Sequence, residues 1–219
     1  AQEGVFDNMR EIPLYPENIG VITSEQGAVL HDVQSAINRR FPISNILLYP
    51  SIVQGDSASK NLVKQIQKAN KDNISNVILI VRGGGSFFDL MPFNDETLIR
   101  AISNSRIPVV TGIGHEPDIT LADYASDSNQ ETPTAAAIKA VPDSQTLKQD
   151  LLHIDNSMDK AMQNIISLIK NKVKNIDIII KTKNPINIIK SLHNSFSENQ
   201  FYLNKSINNK VNTQQNILN

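Results

Sequence analysis

The sequence predicts an α/β fold: a Rossmann-like domain built on a parallel sheet, followed by long coiled-coil helices. Three observations carry this. Short, mostly β-branched apolar runs alternate with stretches of helix length, the pattern of strand–crossover–strand units. Glycine-bearing loops follow those runs directly, where an open α/β sheet holds its ligands. From about Asp143 onwards aromatics nearly vanish, glycine stops, and Asn, Lys, Gln and Ile dominate.

The apolar runs are "IGVIT" (19–23), "ISNILLY" (43–49), "NVILIV" (76–81) and "IPVVTGI" (107–113). Helices are expected at about 27–40, 58–70 and 94–104. In the first of them Val29, Val33, Ala36 and Ile37 are spaced as an amphipathic crossover requires. The loops at the carboxyl ends of the strands are then "TSEQG" after the first, "RGGGS" after the third and "GIGHEPD" after the fourth.

The α/β domain is expected over 1–142 and a helical, coiled-coil segment over 143–219. Within that segment Leu147, Leu151, Ile154, Met158, Ala161 and Ile165 step by fours and threes as a heptad seam. Ile169, Val173, Ile176 and Ile180 continue it after a shift of register. Asn184-Pro185 breaks the helix, because proline has no N–H to donate and restricts the residue before it. A second pattern, Ile189, Leu192, Phe196, Leu203, Ile207 and Val211, runs to the final residue without a stop signal, so a fragment with a truncated last helix is expected.

Composition narrows the class. With 219 residues, 40% hydrophobic and 20% charged, the chain is neither disordered nor fibrous. It has no cysteine, which excludes a disulfide, a thiolate nucleophile and a cysteine zinc site, and fits a reducing compartment. No apolar run approaches the ~20 residues that span a bilayer, and "AQEGVFDNMR" is no signal peptide. A cytoplasmic protein without a membrane partner is expected. Residues 1–138 hold ten Lys/Arg against sixteen Asp/Glu, whereas 139–219 hold eleven against six. A solvated helix face explains that asymmetry as well as an acidic partner does.

The loops carry the chemistry. "RGGGS" places the Arg82 guanidinium before Gly83, Gly84, Gly85 and Ser86. A glycine-rich loop after a strand exposes N–H groups that cradle phosphate, and arginine adds a planar fork, although a tight turn alone would use the same residues. The spacing is neither GxGxxG nor GxxxxGK[ST]. In "GIGHEPD", Gly112 and Gly114 free the backbone around His115, and Asp118 lies three residues on. A histidine near a carboxylate serves as general base or acid at neutral pH, beside the plainer reading of a structural histidine. His115, Glu116 and Asp118 as ligands of Mg²⁺ or Mn²⁺ are the rival account. A serine hydrolase is excluded by the lack of a G-x-S-x-G elbow. Phosphoester chemistry matches best, with arginine and backbone N–H groups for the phosphate and His and Asp for the proton.

"IGVITSEQGAVLHDV", "YPSIVQGDSA", "VRGGGSFFDLMPFNDE", "RIPVVTGIGHEPDITLADYASD" and "TPTAAA", in this order and spacing, resemble the exonuclease VII large-subunit family over about residues 4 to 140. The resemblance implies an exodeoxyribonuclease that attacks single-stranded DNA from both ends and releases oligonucleotides. It implies a metal-sparing or weakly metal-dependent reaction, with no cofactor required and Mg²⁺ the cation it would take. It also implies a complex with a small helical subunit docked on the coiled coil, and association of large subunits with one another. The family's essential positions fall on Asp32, Arg82, His115 and Asp118; Asp32 enters through the resemblance alone. From the resemblance, the family's N-terminal OB-fold is expected to lie outside this sequence. Two stretches depart from the pattern. Phe88-Asp89-Leu90-Met91 stands where the family usually has Glu-Asp-Leu-Trp. Asn129 and Gln130 replace a common arginine and alanine, and Ile138 a glutamate. A non-catalytic α/β domain that binds nucleotide or DNA, with a helical assembly scaffold, is the alternative.

Overall fold

Strand β1 (Asn18–Thr23) leads into helix α1 (Ala28–Arg40), β2 (Asn45–Pro50), α2 (Ala58–Asp72) and β3 (Val77–Val81). A 3-10 helix (Phe87–Asn94), α3 (Glu96–Ser103), β4 (Val109–Gly112), α4 (Leu121–Ala125), β5 (Ser128–Asn129) and α5 (Pro133–Ala140) follow. The chain ends in α6 (Ser144–Thr182) and α7 (Pro185–Leu218). The structure, a computed structural model, describes residues 5–6, 9–84, 87–114 and 118–218. It divides into two units, residues 1–151 and 152–219.

The first unit is the expected parallel α/β sheet. Five strands run in the order β2-β1-β3-β4-β5, every pair parallel. Alternation along each strand sends side chains to two separate cores. Ile22, Ile78, Ile80 and Val109 pack with Leu62 and Ile66 of α2, Leu98 and Ile102 of α3, and Ala122 of α4. Ile19, Val21, Val77, Leu79, Val81 and Val110 pack with Val33 and Ile37 of α1 and Ala136 and Ala140 of α5. β3 lies between β1 and β4 and is buried along its whole length. Crossovers depart in opposite directions from β1 and β3, which makes the gap between their carboxyl ends the topological switch point.

The expected strands and helices are present with shifted ends. β2 begins at Asn45 rather than Ile43, because α1 ends in a turn at Phe41 and Ile43 is left exposed. The 3-10 helix, α4, β5 and α5 are additions to the expected set. Local chemistry accounts for two of them. α4 starts with a capping box in which Thr120 N–H and hydroxyl donate to Asp123 Oδ2 at 2.9 and 2.8 Å. α5 starts with the Thr132 hydroxyl accepting from Ala135 N–H at 3.1 Å and with Pro133 in its first turn.

A buried ion pair closes the far edge of the sheet. The Arg10 guanidinium meets Asp127 at 2.9–3.0 Å through Nε and Nη2 and also donates to the carbonyls of Ile102, Ser103 and Ser105 where α3 ends. The backbone N–H groups of Arg10 and Val109 donate to the same carboxylate, each at 2.6 Å. A cation at a helix C-terminus is favourably placed against the macrodipole.

In the second part of the chain, α6 runs for 39 residues and α7 for 34. The break falls at Asn184-Pro185 as expected, with Asn184 Oδ1 accepting from Ile186 N–H at 3.0 Å. Seam residues including Leu151, Ile154, Met158, Ile165, Leu192 and Phe196 are exposed. Among the described residues no helix is long and apolar enough to cross a membrane.

Candidate functional site

Arg82 follows the last residue of β3, and its N–H donates to the Gly112 carbonyl at 3.2 Å, extending the β3–β4 ladder by one step. The side chain is only 3% exposed, and Nη2 lies 3.5 Å from Oδ2 of the more exposed Asp89 on the 3-10 helix. A guanidinium stays charged when buried, so the carboxylate beside it offsets a charge that has lost most of its water. Asp89 is a site residue that sequence reasoning passed over. Its signal was a lone acid seven positions after the arginine of the same loop.

Gly83 and Gly84 open onto a cleft of about 740 Å³ lined also by Ser24, Gly27, Val29 and Val53. This cleft lies at the switch point, among the loops that follow β1, β2 and β3. Gly83 is required by contact, since a Cβ there would sit 2.8 Å from Val29 Cγ2. Around Gly84 the space is open. α1 starts at this cleft with Gly27 as its N-cap, no side-chain cap and no acid in its first turn. Its first N–H groups are thereby left for a ligand or solvent.

A second concavity of about 520 Å³ is lined by Gly114, Asp118, Ile119, Asn129, Gln130 and Glu131. It lies at the carboxyl ends of β4 and β5. A Cβ on Gly114 would stand 2.8 Å from the Asp118 carbonyl oxygen, a close approach that needs glycine. Asp118 is half-buried in the lining. Gln130 and Asn129 bring amides into this wall where a cationic side chain was the expected family pattern.

The expected site residues therefore separate into groups. Gly83 and Gly84 line the first cleft, with Arg82 buried beside Asp89 just before them in the loop, and Gly114 and Asp118 line the second. Asp32 is exposed on the second turn of α1 and lines neither concavity. It lies one turn after Val29, on the helix face whose first turn borders the cleft. His115, Gly85 and Ser86 lie outside the described residues, as does Glu116. Among the described residues no three His, Cys, Asp or Glu side chains converge as a metal site.

A buried arginine and a bare glycine loop at the switch point, with an aspartate at the next loop along the same sheet edge, form a constellation suited to holding an anion and handling a proton. The family model described as "Exonuclease VII, large subunit" matches residues 6–219. A protein of Lysinibacillus sphaericus named "Exodeoxyribonuclease 7 large subunit" is 40% identical over 199 residues, which are 90% of this chain and 43% of that protein. A Legionella pneumophila protein of the same name is 44% identical over 81% of this chain and 39% of its own length. One from Leptospira interrogans is 37% identical over 97% of this chain and 51% of its own. The chain thus spans between 39% and 51% of these relatives. With the family model covering almost every residue, the chain belongs to the exonuclease VII large-subunit family.

Proposed function

We propose that this chain is the hydrolytic part of an exodeoxyribonuclease that cleaves phosphodiester bonds of single-stranded DNA from both ends and releases oligonucleotides. The observation that carries the reading is Arg82: a buried guanidinium beside an open glycine loop at the switch point, in a chain whose relatives bear the name exodeoxyribonuclease. Functionally, the α/β part is residues 1–142 and the coiled-coil part residues 143–219.

Each residue has a role. Arg82 and the N–H groups of Gly83, Gly84, Gly85, Ser86 and Gly114 hold the scissile phosphate and the negative charge that grows on its oxygens. His115 takes a proton from water, whose oxygen forms the new bond to phosphorus. The P–O bond to the leaving nucleotide breaks, and its oxygen takes up a proton. Asp118 orients the imidazole and stabilises its cation. Asp32 stands on the α1 face next to the cleft and acts on the water or the strand from there. No cofactor is required; Mg²⁺, where present, would screen the phosphates. The exposed seams of α6 and α7 are the surface on which the small subunit and other large subunits assemble. The compartment is the cytoplasm.

The test is digestion of end-labelled single-stranded DNA by the intact protein with its small subunit, with and without EDTA, beside Arg82→Lys. Lysine keeps the charge and loses the fork, so turnover should fall by about two to three decades. Full turnover in a folded Arg82→Lys protein removes Arg82 from the phosphate site. Absence of products from the unaltered complex rejects the nuclease reading.

A further inference from the structure

Next to the Arg82–Asp89 pair runs a row of exposed apolar side chains that the phosphate chemistry leaves unused. In a 3-10 helix three residues make a turn, so positions i, i+3 and i+6 stand above one another. Leu90 and Phe93 form the inward row and pack in the core with Ala122 and Ala125 of α4. Phe88, Met91 and Asn94 form the outward row, with Phe88 82% and Met91 55% exposed. Asn94 Oδ1 accepts from Leu121 N–H at 2.8 Å, which joins this row to α4. There Leu121 and Tyr124, three residues apart on one helix face, are 43% and 61% exposed. The Asn94–Leu121 hydrogen bond links the two rows into one strip, and none of its five side chains is charged. Phe88 is the chain neighbour of Asp89, the partner of Arg82, and the strip's other end lies near exposed Ile119, which lines the second concavity beside Asp118.

We propose that this strip is the nucleobase platform of the substrate strand, on which Phe88 and Tyr124 stack the unpaired bases of nucleotides next to the phosphate at Arg82. The inference rests on the nuclease reading above and adds the source of its preference for a single strand. A duplex keeps its base faces stacked inside the helix, whereas an unpaired strand can splay them onto aromatic side chains. Stacking tolerates any sequence, since every base has a π-face, and that suits an enzyme that degrades whatever strand it meets. Exposed apolar strips of this kind mark binding surfaces, and the one beside a phosphate site fits a ligand with phosphates and flat apolar rings in alternation.

The experiment uses the intact protein and two strands of equal length and linkage, oligo(dT) and its abasic counterpart, both phosphorothioate-linked to resist cleavage. Tyr124→Trp puts an indole into a sequence that has none. Oligo(dT) should quench that indole and the abasic strand should not. With cleavable strands, removal of both rings in Phe88→Ala/Tyr124→Ala should raise KM for oligo(dT) by about tenfold or more and narrow the difference between the two strands. Phe88→Trp, which restores an aromatic face, should retain the difference between the two strands that the double alanine variant loses. Equal quenching by both strands, or an equal loss on both in the double variant, assigns the strip to phosphate contact or to folding and overturns the proposal. An unaltered KM for oligo(dT) in the double variant shows that another surface covers the strip, and overturns it as well. A wild-type protein that binds neither strand defeats the nuclease reading first, and the platform with it.

Discussion

Arg10→Ala should cost the α/β unit about 3 kcal/mol of folding stability. The Asp127 side chain is fully buried, and the largely buried Arg10 supplies its counter-charge at 2.9–3.0 Å. Removing one partner of a buried ion pair typically costs ~3–5 kcal/mol, because a charge is left without compensation. Two backbone N–H groups, of Arg10 and Val109, would still reach the carboxylate, which places the cost at the low end. The truncation also strips the guanidinium from three carbonyls at the end of α3, so the loss does not fall below that end. At about 2–4 °C per kcal/mol for a domain of this size, the melting temperature should drop by roughly 6–12 °C. Because the pair is buried, added salt should change the difference little. Thermal unfolding followed by circular dichroism measures the shift, and hydrogen exchange at the Val109 amide localises it to the sheet edge. A drop under 2 °C with unchanged protection at Val109 would refute the reasoning.

Three further outcomes are expected. His115→Ala should lower turnover of the full complex by about two to four decades, with wild-type activity persisting in excess EDTA; complete loss in EDTA with rescue by Mg²⁺ or Mn²⁺ would move His115 and Asp118 into a metal site. Asp95 caps α3, accepting from the hydroxyl and N–H of Thr97, and chiefly that hydroxyl holds its carboxyl below the ordinary value. Asp95→Ala should cost about 1 kcal/mol near neutral pH. A depressed carboxyl stabilises the fold above its unfolded value and stops doing so as pH falls through the folded one, so the difference should shrink below about pH 4; a constant gap down to pH 2 would contradict this. Leu151→Asp puts a charge on the exposed seam of α6 and should reduce helical assembly while the α/β unit stays folded. Light scattering reads it, and a mass equal to that of the associating wild type counts against the seam.

Four strands, three crossover helices and the break at Asn184-Pro185 were legible because each is written in a few neighbouring residues. β-branched runs, 3.6-residue spacing and a proline act locally, whatever surrounds them. The placement of Arg82, Gly83 and Gly114 just past strand ends was legible for a related reason, since apolar runs that stop at glycine and charge mark those ends locally. β5 was not, because Ser128-Asn129 has no apolar pattern; it is a strand only because β4 pairs with it and Asp127 is held by Arg10, 117 residues away in sequence. Strand order, too, depends on where each crossover packs and leaves no local trace. Burial of Arg82 against Asp89, the exposure of Asp32 on α1, and the joining of Phe88 and Met91 to Tyr124 through Asn94 all follow from that packing. The sequence by itself determined the four apolar strands, their crossover helices, the helix break and which residue types stand in the loops. Only the tertiary structure decided which loops share a cleft, because that depends on contacts between residues far apart in the chain, whose free energy appears only once the sheet has assembled.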